Sequence, residues 1–185
     1  MAFVVVYDAN VLFGNAMRDL FLRIAMKRTS RIRAKWTDQI PDEAFRNLDA
    51  RRPGISDRLP RIRELLNRAV PDALVTDYEP PTEGLKLPDP DDRHVLAAAI
   101  KAGAQIIVTA NVKDFPKESL YPSALEAKTP DEFVLDQIDI DDRNVWACVQ
   151  EIADTRNNPP ETVDDVLDAL ERAGLVEAVA ALRAP

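Results

Sequence analysis

Four acidic residues stand out for the chemistry they could do: Asp8, Glu43, Asp92 and Asp114. Asp8 ends a short apolar run, Asp92 heads an apolar helical pattern, and Asp114 follows a second apolar run together with Asn111. Carboxylates drawn together repel one another and are costly to desolvate unless a cation neutralises them. An all-oxygen donor set points to Mg²⁺ or Mn²⁺ rather than zinc. Singly, each acid has a plainer use. An Asp after a strand or before a helix serves a turn or a cap, and Glu43 alone reads as a solvated helix residue.

Such a site needs elements that bring the acids to one place. Phe3–Tyr7 is β-rich and almost wholly apolar, which predicts a buried strand of a parallel sheet ending at Asp8. Leu20 and Ile24 predict a helix; the basic stretch Lys27–Lys35 follows, and Ile32 to Trp36 reads as a second strand. Pro41 suits the first position of a helix carrying Glu43, Ala44 and Leu48. A helix over Arg61–Ala69 and a third strand over Ala73–Tyr78 precede an exposed loop, Glu79 to Pro90, rich in Pro and acids. Asp92 falls where an N-cap belongs, opening a helix over His94–Ala102 that Gly103 stops. Ile106–Thr109 is another buried strand. Strands alternating with helices predict a parallel α/β sheet, and in such sheets the carboxyl ends of the strands line the ligand crevice. Asp8, Asp92 and Asp114 would therefore converge on one edge, with Glu43 joining from its helix.

Beyond Thr129-Pro130 the pattern becomes helical. Val145, Val149 and Ile152 share one helical face, as do Val163, Val166, Leu167 and Leu170 behind a cap at Thr162. Gly174 separates these from a last helix through Leu182, and Asn157-Asn158-Pro159-Pro160 is the clearest linker. The division predicted is a core over residues 1–138 and a helical C-terminal extension over 139–185. Trp36, Trp146 and Cys148 read as buried core residues, and His94, the single histidine, as a packing or hydrogen-bonding residue.

At 185 residues, 46% hydrophobic and 30% charged, the chain is long enough for one domain with a sizeable core. The lone Cys148 can form no intramolecular disulfide, which fits a reducing interior. The N-terminus has no basic leader, and its apolar run is too short for a signal peptide or a membrane span, so a cytoplasmic protein without membrane attachment is expected. A net charge of -8 argues against a general polyanion binder, but residues 1–70 carry +6 and the remainder -14. The basic half could offer phosphates a landing surface.

With these pieces in place, the chain resembles the PIN-domain ribonucleases, in particular VapC-type toxins of bacterial toxin–antitoxin pairs. The resemblance is carried by Val-Tyr-Asp-Ala-Asn-Val-Leu at 6–12, Trp-Thr-Asp-Gln-Ile-Pro-Asp-Glu at 36–43, Asp-Asp-Arg-His-Val-Leu-Ala-Ala-Ala at 91–99 and Val-Thr-Ala-Asn-Val-Lys-Asp-Phe-Pro at 108–116. These occur in the family's order over residues 3 to about 116 and fade beyond about 138. The resemblance implies a PIN-like three-layer fold, a central parallel sheet flanked by helices. It makes Asp8 the first metal ligand, Asn10 its polar helper, Glu43 the helix-borne second acid and Asp92 the third. Asp89 and Asp91 remain possible neighbours of the third. The family's fourth site often has Asp where this chain has Asn111, and Asp114 is the acid that follows. That replacement lowers the negative charge of the site and favours one tightly held ion over two.

The activity so implied is metal-assisted hydrolysis of RNA phosphodiesters, leaving 5′-phosphate and 3′-hydroxyl ends. Mg²⁺ (or Mn²⁺ in its place) would be held by Asp8, Asp92 and Asp114. Arg18, Arg46 and the basic stretch around Arg31–Lys35 could position the substrate backbone. The partners implied are an RNA substrate, a cognate antitoxin protein and a possible second copy of the chain. Two other readings compete. A haloacid-dehalogenase-like phosphatase would place a second Asp two residues after the first, where this chain has Asn10. A PIN-like module could also bind RNA or a protein without cleaving, a reading that Asn111 keeps open.

Overall fold

The apolar run after Ala2 forms a strand, β1, at Phe3–Tyr7, and its last three residues are fully buried. The computed structural model describes residues 2–39, 59–78 and 84–184. After β1 come α1 (Ala9–Phe13), α2 (Asn15–Met26), β2 (Ile32–Lys35), α3 (Leu59–Ala69), α4 (Arg93–Ala102), β3 (Ile106–Val108), α5 (Lys117–Leu120), β4 (Glu126–Lys128), α6 (Pro130–Thr155), α7 (Val163–Arg172) and α8 (Val176–Arg183). The sheet order is β2-β1-β3-β4, and all three pairings are parallel. Parallel pairing forces helical crossovers that cover the sheet, which is why β1 is apolar at successive positions instead of alternating.

Packing on the sheet begins with an aromatic trio. Tyr7 of β1 meets Phe21 of α2 edge-on at 5.1 Å between ring centroids and Phe133 of α6 at 6.0 Å; Phe21 and Phe133 stack at 5.3 Å. Such pairs add about 0.5–1.5 kcal/mol each beyond the area they bury. α4 packs against β1 and β3, and its run of Ala97, Ala98 and Ala99 is buried. Gly103 ends α4 in the left-handed region at φ 62°, a conformation glycine adopts without a Cβ penalty.

The buried apolar side chains run without a break from the sheet into the C-terminal helices, from Val5 and Tyr7 through Phe133 and Val149 to Leu170 and Val179. Ion pairs reinforce this seam. Glu151 of α6 accepts from Arg23 of α2 at 3.3 Å and also from Lys27, while Arg156 reaches Asp19 at 3.7 Å and Glu161 at 3.0 Å. Helix α6 crosses residue 138 and kinks at Asp141, whose backbone is extended (φ -162°, ψ 87°). Thr129 and Thr162 head α6 and α7 with capping boxes through Glu132 and Asp165. No helix among the described residues is long and apolar enough to cross a membrane.

Three local expectations change. The strand predicted over Ala73–Tyr78 is a single parallel bridge at Leu74, where Trp36 donates to the Ala73 carbonyl at 2.9 Å and accepts from Val75 at 2.8 Å. Asp77 at φ 57° then turns the chain out of extended geometry. Strand β4 escapes sequence reading because Glu126-Ala127-Lys128 lacks a strand pattern, and its register comes from pairing with β3. Trp146 is 41% exposed and not core, because its position on α6 faces a groove between helices. Trp36 and Cys148 are fully buried.

Candidate active site

Each strand ends at the same edge of the sheet, and the residue that follows it carries an oxygen: Asp8 after β1, Thr109 after β3 and Thr129 after β4, with Thr37 after the Trp36 bridge that extends β2. Asp8 is central and 4% exposed. Its backbone N–H continues the ladder by donating to the Val108 carbonyl at 3.0 Å. Its Oδ1 accepts from the Ala9 N–H at 2.6 Å, which makes it the N-cap of α1. Its Oδ2 accepts from Asn10 Nδ2 at 2.7 Å and from the Thr109 hydroxyl at 2.7 Å. A carboxylate so deep in the fold needs charge-assisted donors of this kind to offset lost hydration.

Asn10 ties the loop after β3 to this centre. Its Oδ1 accepts from the Ala110 N–H at 2.9 Å while its Nδ2 also lies 3.2 Å from the Thr109 hydroxyl oxygen. The Asn111 N–H donates to that same hydroxyl oxygen at 3.1 Å. Thr109 is thus a fully buried junction of three segments, and sequence reading passed over it as the end of a strand. A hydroxyl residue one place beyond an apolar strand, beside another strand that ends in Asp, is the signal that could have found it.

Helix α4 reaches this edge through a second buried contact. The Thr37 hydroxyl lies 3.4 Å from Nδ1 of His94, which is in the first turn of α4 and 9% exposed. Asp92 stands two residues earlier and is half-buried. It occupies the N-cap position of α4, but its backbone is already helical (φ -79°, ψ -5°) and its side chain makes no cap bond. The capping falls instead to Asp89, whose carboxylate accepts from the Asp91 N–H at 2.9 Å and opens a short 3-10 turn over Pro90–Asp92. The expectation that Asp92 caps the helix is therefore corrected, because the 3-10 turn moves the cap three residues earlier.

Asp114 closes a 3-10 turn, Val112–Asp114, after β3 and is half-buried; Asn111 is exposed. Among the described residues, no three His, Cys, Asp or Glu side chains stand close enough together to hold a metal ion, so Asp8, Asp92 and Asp114 do not form a ready-made trio. Glu43 and Arg46 lie outside the described residues. Arg18 donates to the Leu12 carbonyl at 3.1 Å and to Asn15 Oδ1 at 2.7 Å, and burial lowers its pKa against the opposing pull of Asp19. Those bonds give Arg18 a structural use beside α1. Beneath Asp8, burial pushes the Tyr7 phenol far above its ordinary value, so it stays neutral.

The donor chemistry of this edge suits a hard divalent cation. Mg²⁺ commonly takes only one or two protein carboxylates and completes its shell with water and substrate phosphates, so a preformed trio is not required. No solved structure matches the chain. The family model for the VapC50 C-terminal domain matches residues 130–184. A Mycobacterium tuberculosis protein that bears the name "Putative ribonuclease VapC50" is 44% identical over 79 residues, 43% of this chain, and the match covers 47% of that relative, about half its length. The family model for the PIN domain matches residues 4–113, the stretch that holds β1, β2, β3 and the Asp8 centre, and the chain belongs to the PIN-domain family.

Proposed function

We propose that the chain is a metal-dependent endoribonuclease that hydrolyses RNA phosphodiester bonds, and that it acts as the toxin of a toxin–antitoxin pair. The observation that carries this reading is Asp8, a buried carboxylate fixed by Asn10 and Thr109 at the carboxyl edge of a PIN-family sheet. The VapC50 relative and the VapC50 C-terminal match support the toxin assignment. Asp8 and Asp92 would hold a Mg²⁺ ion, or Mn²⁺ in its place, with Asp114 beside them and Glu43 acting through water. When bound, the ion neutralises charge at the scissile phosphate and acidifies water. Asn10 and Thr109 keep the Asp8 carboxylate in one orientation. Asn111 leaves this edge one negative charge poorer than an Asp would, which supports a single ion. A cognate antitoxin, a cytoplasmic location and a division into residues 1–138 and 139–185 belong to the same proposal.

The reading is tested by incubating the protein with cellular RNA and Mg²⁺ beside Asp8→Asn. Cleavage by the former, abolished in the latter and ending in 5′-phosphates, is the expected result. Saturating Mg²⁺ or Mn²⁺ should also raise the melting temperature, because the ion binds only the folded arrangement of carboxylates. A module that binds RNA or a protein without cutting is the second reading, favoured by Asn111. Equal RNA survival with folded protein and folded Asp8→Asn would select it.

A further inference from the structure

Charge is divided very unevenly along this chain. Residues 130–185 hold 14 Asp+Glu against 4 Lys+Arg, a net of -10, while the preceding 129 residues carry +2. Within that acidic part, α6, α7 and α8 leave a groove of roughly 870 Å³ between them. Ile138, Ala147, Leu167 and Leu182 supply its apolar lining, and Trp146 stands in it 41% exposed. Asp142 and Asp164 contribute carboxylates, and Arg143 adds a guanidinium beside Asp142. The Arg183 side chain in this groove is already paired with Asp168 at 2.5 Å and Glu171 at 3.4 Å, so its positive charge is more than neutralised.

We infer that this groove docks a basic amphipathic helix of a partner protein, with an apolar side chain seated against Trp146 and Lys or Arg residues facing Asp142 and Asp164. An indole this exposed inside a concave apolar lining is the kind of anchor that dominates interface energetics. The wall from Asp142 to Gln150 runs about 12 Å, two helical turns, which suits anchors at i, i+3, i+4 and i+7. The groove lies among helices and offers no strand edge, so recognition falls to side chains. Nucleic acid is repelled by the acidic surroundings. A second copy meeting this face with its own would place like charges opposite one another. The inference is independent of RNA cleavage, since it involves none of the residues of the Asp8 edge.

The test uses the full chain and a fluorescein-labelled 18-residue peptide with Leu on one helical face and Lys on the other, followed by anisotropy and by Trp146 emission. A peptide with the same Leu pattern and Glu in place of Lys is the charge control. The Lys peptide should bind at least tenfold more tightly than the Glu peptide and shift Trp146 emission to the blue. Trp146→Ala and Asp142→Lys/Asp164→Lys should each weaken it at least tenfold with unchanged circular dichroism. Asp142→Asn/Asp164→Asn provides a milder pair should the reversal disturb folding. Glu118→Lys/Glu126→Lys, a charge-matched change at exposed sites near β4, should leave binding within twofold. The inference is overturned if both peptides bind alike, if the control pair weakens binding as much as the groove pair, or if the groove binds an RNA oligonucleotide instead. A dimer in sedimentation that Trp146→Ala abolishes would equally overturn it in favour of self-association.

Discussion

The Thr109 hydroxyl donates to Asp8 Oδ2 at 2.7 Å across the ends of two neighbouring parallel strands, although 101 positions separate them in sequence. Asn10 completes the arrangement from the other side, so the buried carboxylate is held by groups from two strand ends. Its orientation is therefore a property of the β1–β3 pairing and not of either segment alone.

Thr109→Val keeps the shape and removes the hydroxyl. The loss should cost about 1.5–3 kcal/mol in urea unfolding, the usual range for a hydrogen bond to a charged group. Thr109→Ser should recover most of it. A Val variant as stable as the parent would mean that the hydroxyl contributes nothing to holding Asp8.

Helix α8 depends on a cap from elsewhere. Its own N-cap position, Leu175, has no capping side chain, and Asp131 in the first turn of α6 accepts from the Glu177 N–H at 3.0 Å and the Ala178 N–H at 2.9 Å. Asp131→Ala should cost about 1 kcal/mol, the typical value of a lost cap. Hydrogen exchange should speed up at the first amides of α8 before it does so in the sheet.

The Glu151 carboxyl is held below the ordinary carboxylate range, first by its hydrogen bond from Lys27 and then by Arg23. A depressed folded-state pKa gives stability that is present above the unfolded value, about 4.3 for Glu, and is lost as pH falls below it. At 45% side-chain exposure, screening limits the contribution to on the order of 0.5 kcal/mol. Glu151→Gln should thus melt lower than the parent at pH 7, with the gap narrowing as pH falls from the unfolded value toward the lowered folded-state pKa. A gap that persists undiminished over that fall would show that charge plays no part.

Cys148 is fully buried, and burial pushes its thiol up to about 11. The thiolate is the reactive form, so a thiol reagent at pH 8 should label the folded protein about 100-fold more slowly than the guanidinium-unfolded protein. Equal rates would mean that the C-terminal helices open readily.

Several elements were legible in the residues themselves. Phe3–Tyr7 read as a buried strand because successive β-rich apolar residues suit the two covered faces of a parallel sheet, and its last three residues are fully buried. Thr162 before Val163, and Gly103 after Ala102, marked helix ends through local backbone chemistry that needs no tertiary partner. Asp8, at the end of such a strand, was legible as a candidate for the same reason. Long-range contacts decided the rest. Pairing with β3 made Glu126–Lys128 a strand, and the Trp36 bridge with the turn at Asp77 kept Ala73–Tyr78 from becoming one. The groove around Trp146 required three helices to pack, and the hold of Thr109 on Asp8 required two strand ends to meet. Periodicity and capping report what a segment does with its own backbone, whereas a buried carboxylate is positioned by donors that only the folded chain brings near.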